Sequence, residues 1–259
     1  MDTTRPHRDD AGMDIGLLAV IGVIFALAGG VKGVSGLGLP TVSMALLGLV
    51  MPPAAAATLM VWPSLATNLA QCAGPRWRAL CRRLWPMWAG LLCFTVFSPL
   101  PSLAGAGRGP RAALGAVLVV YGAWGLVRPA LPRPARRHEA WLGALAGSLS
   151  GVLTAATGVF VLPMVPYLQS LQMDKDELIQ ALGLSFTVAT VALAIVLWTA
   201  APGTATPDMT ASGVALLAAF AGLWAGTRLR RRMPAETFQR ALYAMFVLLG
   251  IAMLFRSTP

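Results

Sequence analysis

The sequence predicts an all-α membrane protein built from two inverted-topology repeats, and three observations carry that prediction. The chain is 57% hydrophobic and only 12% charged, with a mean hydropathy of +0.70, more apolar surface than a soluble core could hide. Apolar stretches near the roughly 20 residues that cross a bilayer recur along nearly its whole length. Two glycine-rich breaks, Gly29 to Pro40 (GGVKGVSGLGLP) and Gly147 to Pro163 (GSLSGVLTAATGVFVLP), interrupt those stretches near the start of each half.

The elements follow in order. Ile15 to Ala28, continued by Pro40 to Met51, forms a first glycine-broken hairpin, and Ala54 to Gln71, Leu84 to Leu103 and Arg111 to Val127 are three spans after it. The first arm ends in Ala26-Leu27-Ala28, which imitates a signal-peptide cleavage site. Asp2, Asp9, Asp10 and Asp14 offset Arg5 and Arg8 ahead of it, so no positive n-region forms and the segment is expected to be retained. Pro129, Pro132 and Pro134 interleaved with Arg128, Arg133, Arg136 and Arg137 exclude a spanning helix between the halves. The second half repeats the pattern: Trp141 to Thr157 continued by Phe160 to Leu171, then Glu177 to Thr199, Met209 to Leu229 and Glu236 to Phe255. The expected organisation is a polar tail over residues 1–13, a first membrane repeat over 14–127, a basic cytoplasmic linker over 128–139 and a second repeat over 140–256. Each repeat is a re-entrant or short-span hairpin followed by three transmembrane helices, the weak internal symmetry of a duplicated transporter.

The net charge of +10 is concentrated in short segments, so it reads as a topology signal and not as a nucleic-acid footprint. Arg76, Arg78, Arg82 and Arg83, the linker, and Arg228, Arg230, Arg231 and Arg232 mark one side, expected to be cytoplasmic. Parity between these clusters requires each hairpin to enter and return, which gives the halves opposite orientations and places both termini and the Ala200 to Asp208 loop outside. Trp77, Trp85, Trp141 and Trp198 fall near the expected membrane surfaces, while Trp62, Trp88, Trp124 and Trp224 fit packing equally well. Cys72, Cys81 and Cys93 are odd in number and without a neighbouring histidine, so they are read as thiols, not as a disulfide or zinc framework.

Glycine frees a backbone to unwind, and an unwound segment at membrane depth must be buried in protein or line a polar cavity. The helix starts exposed there would favour an anion. Gly36, Gly38 and Gly158 are the candidate backbone positions, with close helix packing as the competing role for such glycines. Lys32 lies within the first break, and its charge is either a midplane cation with a functional partner or an interfacial lysine. Ser35, Thr67 and Asn68 in the first half, and Thr154, Thr157, Ser185, Thr187 and Thr190 in the second, offer uncharged donors that can replace water around an oxyanion, or can bond back to their own helices. Carboxylates and histidines fall outside the spans or at their boundaries, so neither a nucleophile with its base nor a metal set can be assembled, and no cofactor is expected.

Gly36-Leu37-Gly38-Leu39-Pro40, its Gly151 to Pro163 counterpart, the Ala181-Leu182-Gly183-Leu184-Ser185-Phe186-Thr187 stretch, and the Gly222 to Gly250 segment with Arg230, Arg231, Pro234, Glu236 and Phe238 carry a family resemblance. From about Ile15 to Phe255 the sequence resembles the sulfite exporter TauE/SafE family of bacterial inner-membrane permeases. Leu37 and Leu39, and in the second half Ala155, Ala156 and Val159, dilute the denser glycine run often found in that family. The resemblance implies export of a small anion such as sulfite or an organosulfonate, with uptake of an organic acid or sulfonate as the alternative. An intramembrane lipid enzyme and a non-transporting assembly protein are the readings from other classes. The expected partners are the lipid bilayer and a small anion, with no nucleic acid; self-association stays open.

Overall fold

In a membrane, lipid tails are as apolar as leucine, so helices associate through close packing and hydrogen bonds instead of hydrophobic burial. That constraint explains most of the arrangement in the computed structural model, which describes residues 15–98, 100, 103, 109–127, 129, 131–200, 208–230 and 235–257. The described residues form ten helices and no strand: α1 (Ile15–Ser35), α2 (Leu39–Val50), α3 (Pro53–Cys72), α4 (Trp77–Val96), α5 (Gly109–Val127), α6 (Arg136–Thr157), α7 (Met164–Ser170), α8 (Lys175–Ala200), α9 (Met209–Leu229) and α10 (Ala235–Ser257). Six of them are long and apolar enough to cross a membrane: α1, α5, α6, α8, α9 and α10. α3 and α4 have 20 residues each but are not among these six. With 12 and 7 residues, α2 and α7 are too short to cross.

The first hairpin arm is longer than the sequence reading gives it. α1 has 21 residues and runs through Gly29, Gly30 and Gly33 to Ser35. These glycines pack instead of unwinding. A Cβ added at Gly29 would lie 2.1 Å from the Ala219 carbonyl oxygen, and one at Gly33 would lie 2.5 Å from that of Leu223. α6 behaves alike, reaching Thr157, because Gly147 and Gly151 pack on α4, where added Cβ atoms would lie 1.9 and 2.5 Å from the Met87 and Leu91 carbonyl oxygens. The breaks therefore shrink to Gly36–Gly38 and to Gly158–Pro163. Two other boundaries move toward the charged end. α4 starts at Trp77 rather than Leu84 and stops at Val96, and α6 starts at Arg136 rather than Trp141. Arginines are tolerated near these helix starts because a long side chain can reach off the helix end, and Arg83 in the second turn of α4 is held by Glu139 at 2.9 Å.

Helix pairing is reciprocal between the halves. α1 lies on α9, and α6 lies on α4, while α5 pairs with α10 and α3 with α8. Successive contacts show that α1 and α9 run parallel, as do α4 and α6, whereas α5 with α10 and α3 with α8 run antiparallel. Phe25, Phe160, Phe186 and Phe246 fill the interior, and Val23, Leu27, Leu149, Leu217, Trp224 and Leu248 point outward to where lipid would lie. Trp77, Trp85, Trp141 and Trp198 are exposed, and so are Trp62 and Trp224. Arg228 stacks on the Trp224 ring at 3.9 Å.

One end gathers the charges. Arg76 ahead of α4 pairs with Asp174 and, at 2.9 Å, with Glu177 at the start of α8, and the Arg83–Glu139 pair joins α4 to α6. α1 leaves its helix at the same end, where the Gly36 carbonyl accepts from Gln71 Nε2 at 3.1 Å. Because α9 runs parallel to α1, Arg228 and Arg230 also fall at this end. Arg231 and Arg232, the Ala201 to Pro207 segment and the amino-terminal tail lie outside the described residues.

Candidate functional site

Pro63 stands inside α3, and Ser64, Thr67 and Asn68 follow it at spacings that place all three on one face. That polar stripe on a buried helix meets the last turn of α1. Lys32 there is 1% exposed, and its Nζ donates to Thr67 Oγ1 at 3.1 Å and to Asn68 Oδ1. Asn68 Nδ2 in turn donates to Thr190 Oγ1 at 3.5 Å, and Thr190 returns its own proton to the Phe186 carbonyl at 2.7 Å. Thr190 lies about 22 Å along α8 from its start, a little past the middle of the helix. Lys32 is thus enclosed in protein, and it sits in a helix and not in the break itself.

The electrostatics of this cluster are unbalanced. Lys32 meets neutral oxygens, whereas the described carboxylates Glu139, Asp174, Asp176, Glu177 and Asp208 all lie at helix starts. A lysine at bilayer depth costs about 3 kcal/mol on insertion scales. The Ser64 hydroxyl, fully buried one turn before Asn68, has no hydrogen-bond partner in the structure. An unsatisfied hydroxyl costs about 1–3 kcal/mol. A buried amine with no carboxylate beside it among the described residues, and a spare donor on the adjoining stripe, are groups that a small oxyanion could use. Sequence reasoning missed Ser64, although the spacing Ser64, Thr67, Asn68 in an apolar helix was signal enough.

The other candidates are distributed differently. Ser185 accepts from Trp88 Nε1 at 2.9 Å, and Thr187 bonds back to the Gly183 carbonyl at 2.8 Å beside Cys72. Thr154 donates to the Ser150 carbonyl at 2.6 Å. Ser35 and Thr157 perform one task twice. Each donates to the carbonyl four residues earlier and accepts from the N–H two residues later. Gly36 and Gly158 follow them with φ of 76° and 72°, a conformation that favours glycine. The two breaks do not meet. Gly38 opens α2, whereas Gly158 lies against Met44, about 9 Å further along that helix.

A cavity of about 650 Å³ opens at the charged end, lined by Gln71, Gly74, Arg76, Asp174, Glu177 and Gln180 among others. Its inner wall at Gln71 is one helical turn from Asn68. Gln180 Nε2 ties this end together by donating to the Cys72 and Gly74 carbonyls at 2.9 Å. The Glu177 backbone N–H, and then the Arg76 guanidinium, hold the Asp174 carboxyl below its usual range.

Several helices long and apolar enough to cross a membrane, glycine-packed pairs and a buried lysine among neutral acceptors define a multi-pass helical membrane protein. The family of sulfite exporter TauE/SafE proteins matches the chain over residues 21–253, and the protein belongs to that family. It is thus a membrane transporter and not an enzyme. No curated protein and no solved structure matches the chain.

Proposed function

We propose that the protein is a bacterial inner-membrane exporter of a small anion such as sulfite or a short organosulfonate, and that the anion binds at Lys32 with Ser64, Thr67, Asn68 and Thr190. The observation that carries this reading is the buried Lys32 amine, a group able to take up positive charge, held among the described residues by neutral side chains. A bound oxyanion would supply the missing charge and use the spare Ser64 donor. The other residues named from the sequence divide between two roles. Ser35, Gly36, Gly38, Thr154, Thr157 and Gly158 shape the turns after α1 and α6, and Ser185 and Thr187 belong to the α8 wall around the site.

Alternating access would come from two inverted repeats rocking about this site. The support is a shared interval. Asn68 and Thr190 lie 122 residues apart and touch each other. The same interval relates Lys32 to Thr154, Ser35 to Thr157 and Gly36 to Gly158. The parallel and antiparallel pairing of helices supports two halves related by a two-fold axis in the membrane plane. Positive residues mark the cytoplasmic side, which makes the Gln71–Gln180 cavity a cytoplasmic vestibule.

Counterflow in proteoliposomes tests the reading. Vesicles loaded with sulfite or methanesulfonate should accumulate the labelled anion and not a cation of similar size. Absence of flux for both anions with folded protein would remove the proposal. Gradients imposed in either direction across oriented vesicles separate export from uptake.

A further inference from the structure

The geometry of the lysine amine points to what moves with the anion. An ammonium has three N–H donors, and Lys32 has two acceptors here, Thr67 Oγ1 and Asn68 Oδ1. A neutral amine has two N–H groups, so these acceptors satisfy it fully and leave its lone pair free. The third position is filled only when a proton arrives, and an anion is then its natural acceptor.

Among the described residues the surroundings supply no alternative counter-ion. The titratable group contributed by α3 is Cys72, and α2 contributes none. On α8, Lys175, Asp176 and Glu177 occupy the first turn beside the vestibule. On α9, Arg228 is at the last turn against Trp224, and α10 adds Glu236 and Arg240 near its start and Tyr243 a turn later. A permanently charged Lys32 in the empty protein would therefore stand without a counter-charge at membrane depth.

We propose that the transporter moves one proton with each monovalent anion and that Lys32 holds the proton. This rests on the anion site proposed above. The empty protein carries the neutral amine. Hydronium gives a proton to the amine lone pair, an N–H bond forms and water leaves, while the anion docks on the new ammonium. On the opposite side the proton returns to water as the anion departs. The pair crosses as a neutral unit, which also removes the electrical cost of carrying a lone charge through the membrane.

Methanesulfonate is the decisive probe, because it stays ionised and brings no proton of its own. Purified protein is reconstituted in phosphatidylcholine vesicles containing a trapped pH dye, and sulfonate flux and internal pH are followed together. The expected result is one proton per sulfonate, with flux insensitive to a potassium-diffusion potential. Lys32→Arg places a cation that cannot release its proton. It should retain the folded, monodisperse state and abolish the sulfonate-driven pH change. Sulfonate flux without proton movement, pulled by the potential, would overturn the coupling while leaving the anion site standing. Persistent proton movement in Lys32→Arg would overturn Lys32 as the carrier. If sulfite crosses and methanesulfonate does not, the imposed potential decides the same question for bisulfite at mildly acidic pH. Loss of all anion flux in the wild type would remove the anion reading and the coupling together.

Discussion

The turn after α1 and the turn after α6 share one backbone device and differ in one charge. Both close with a hydroxyl that bonds four residues back and two ahead, followed by a glycine at positive φ. One turn before that glycine, the first half places Lys32 and the second half Thr154. Lys32 reaches across to α3, whereas Thr154 bonds within its own helix. The device present twice belongs to the construction of the fold, and the charge present once sets the first half apart.

Four outcomes would break or sharpen this comparison. The largest is expected at the unmatched position. Lys32→Met should reduce anion flux by about tenfold or more, the equivalent of at least about 1.4 kcal/mol, while Thr154→Val should leave most of it. Counterflow measures both, and equal losses would reduce Lys32 to a packing residue.

The matched glycines should instead act alike and through stability. Gly36→Val and Gly158→Val each force a branched side chain into positive φ, at a cost of about 1–3 kcal/mol. Gly158→Val should be the worse, since its added Cβ meets Met44 Cε at 2.9 Å, against 3.7 Å to Ile179 Cγ1 for Gly36. Thermal unfolding in detergent reads the difference, with Gly213→Val as the reference because its added Cβ meets nothing within 4 Å. Gly115 is unsuitable as a peripheral control, lying 2.8 Å by the same measure from the Gly250 carbonyl oxygen in the α5–α10 contact.

A smaller effect is expected at Asn68 and Thr190, the matched residues that touch. Asn68→Asp would give Lys32 an internal counter-ion and should weaken anion affinity about fivefold, close to 1 kcal/mol, without loss of fold. Thr190→Ala should have a lesser effect. Half-saturation of flux measures both, and tighter anion binding in Asn68→Asp would contradict the site.

The smallest effect concerns the starts of α3 and α8. α3 begins with Pro52 and Pro53, whereas α8 is capped by Asp174, which accepts from the Glu177 N–H at 2.9 Å and pairs with Arg76. A carboxyl held below its ordinary value in the fold contributes stability above that value and loses it as pH falls through the folded value. The contribution of Asp174 should therefore be constant from pH 8 to about 5 and decline below about pH 4. Melting temperature against pH, compared with Asp174→Asn, checks the acid limb. A decline of the Asp174 contribution starting near neutrality would contradict the sign.

The sequence by itself determined the all-α membrane class, because apolar runs and charge-poor interiors have no other stable solution in lipid. It also carried the small-residue hairpins, the wall of hydroxyls and the shortage of deep carboxylates, each a local property of composition or spacing. What it left open was which glycines unwind. Gly29 and Gly33 are helical and Gly36 is not, and the difference lies in the α9 backbone against the first two, which is distant in the chain. The same holds at Lys32, where the sequence allowed either a surface or a buried lysine. Only the approach of α3 to the last turn of α1, and the packing of α8 on α3, set its partners as Thr67 and Asn68, with Thr190 behind them. Periodicity specifies which residues share one helix, but the neighbours a side chain meets are fixed when other helices approach it.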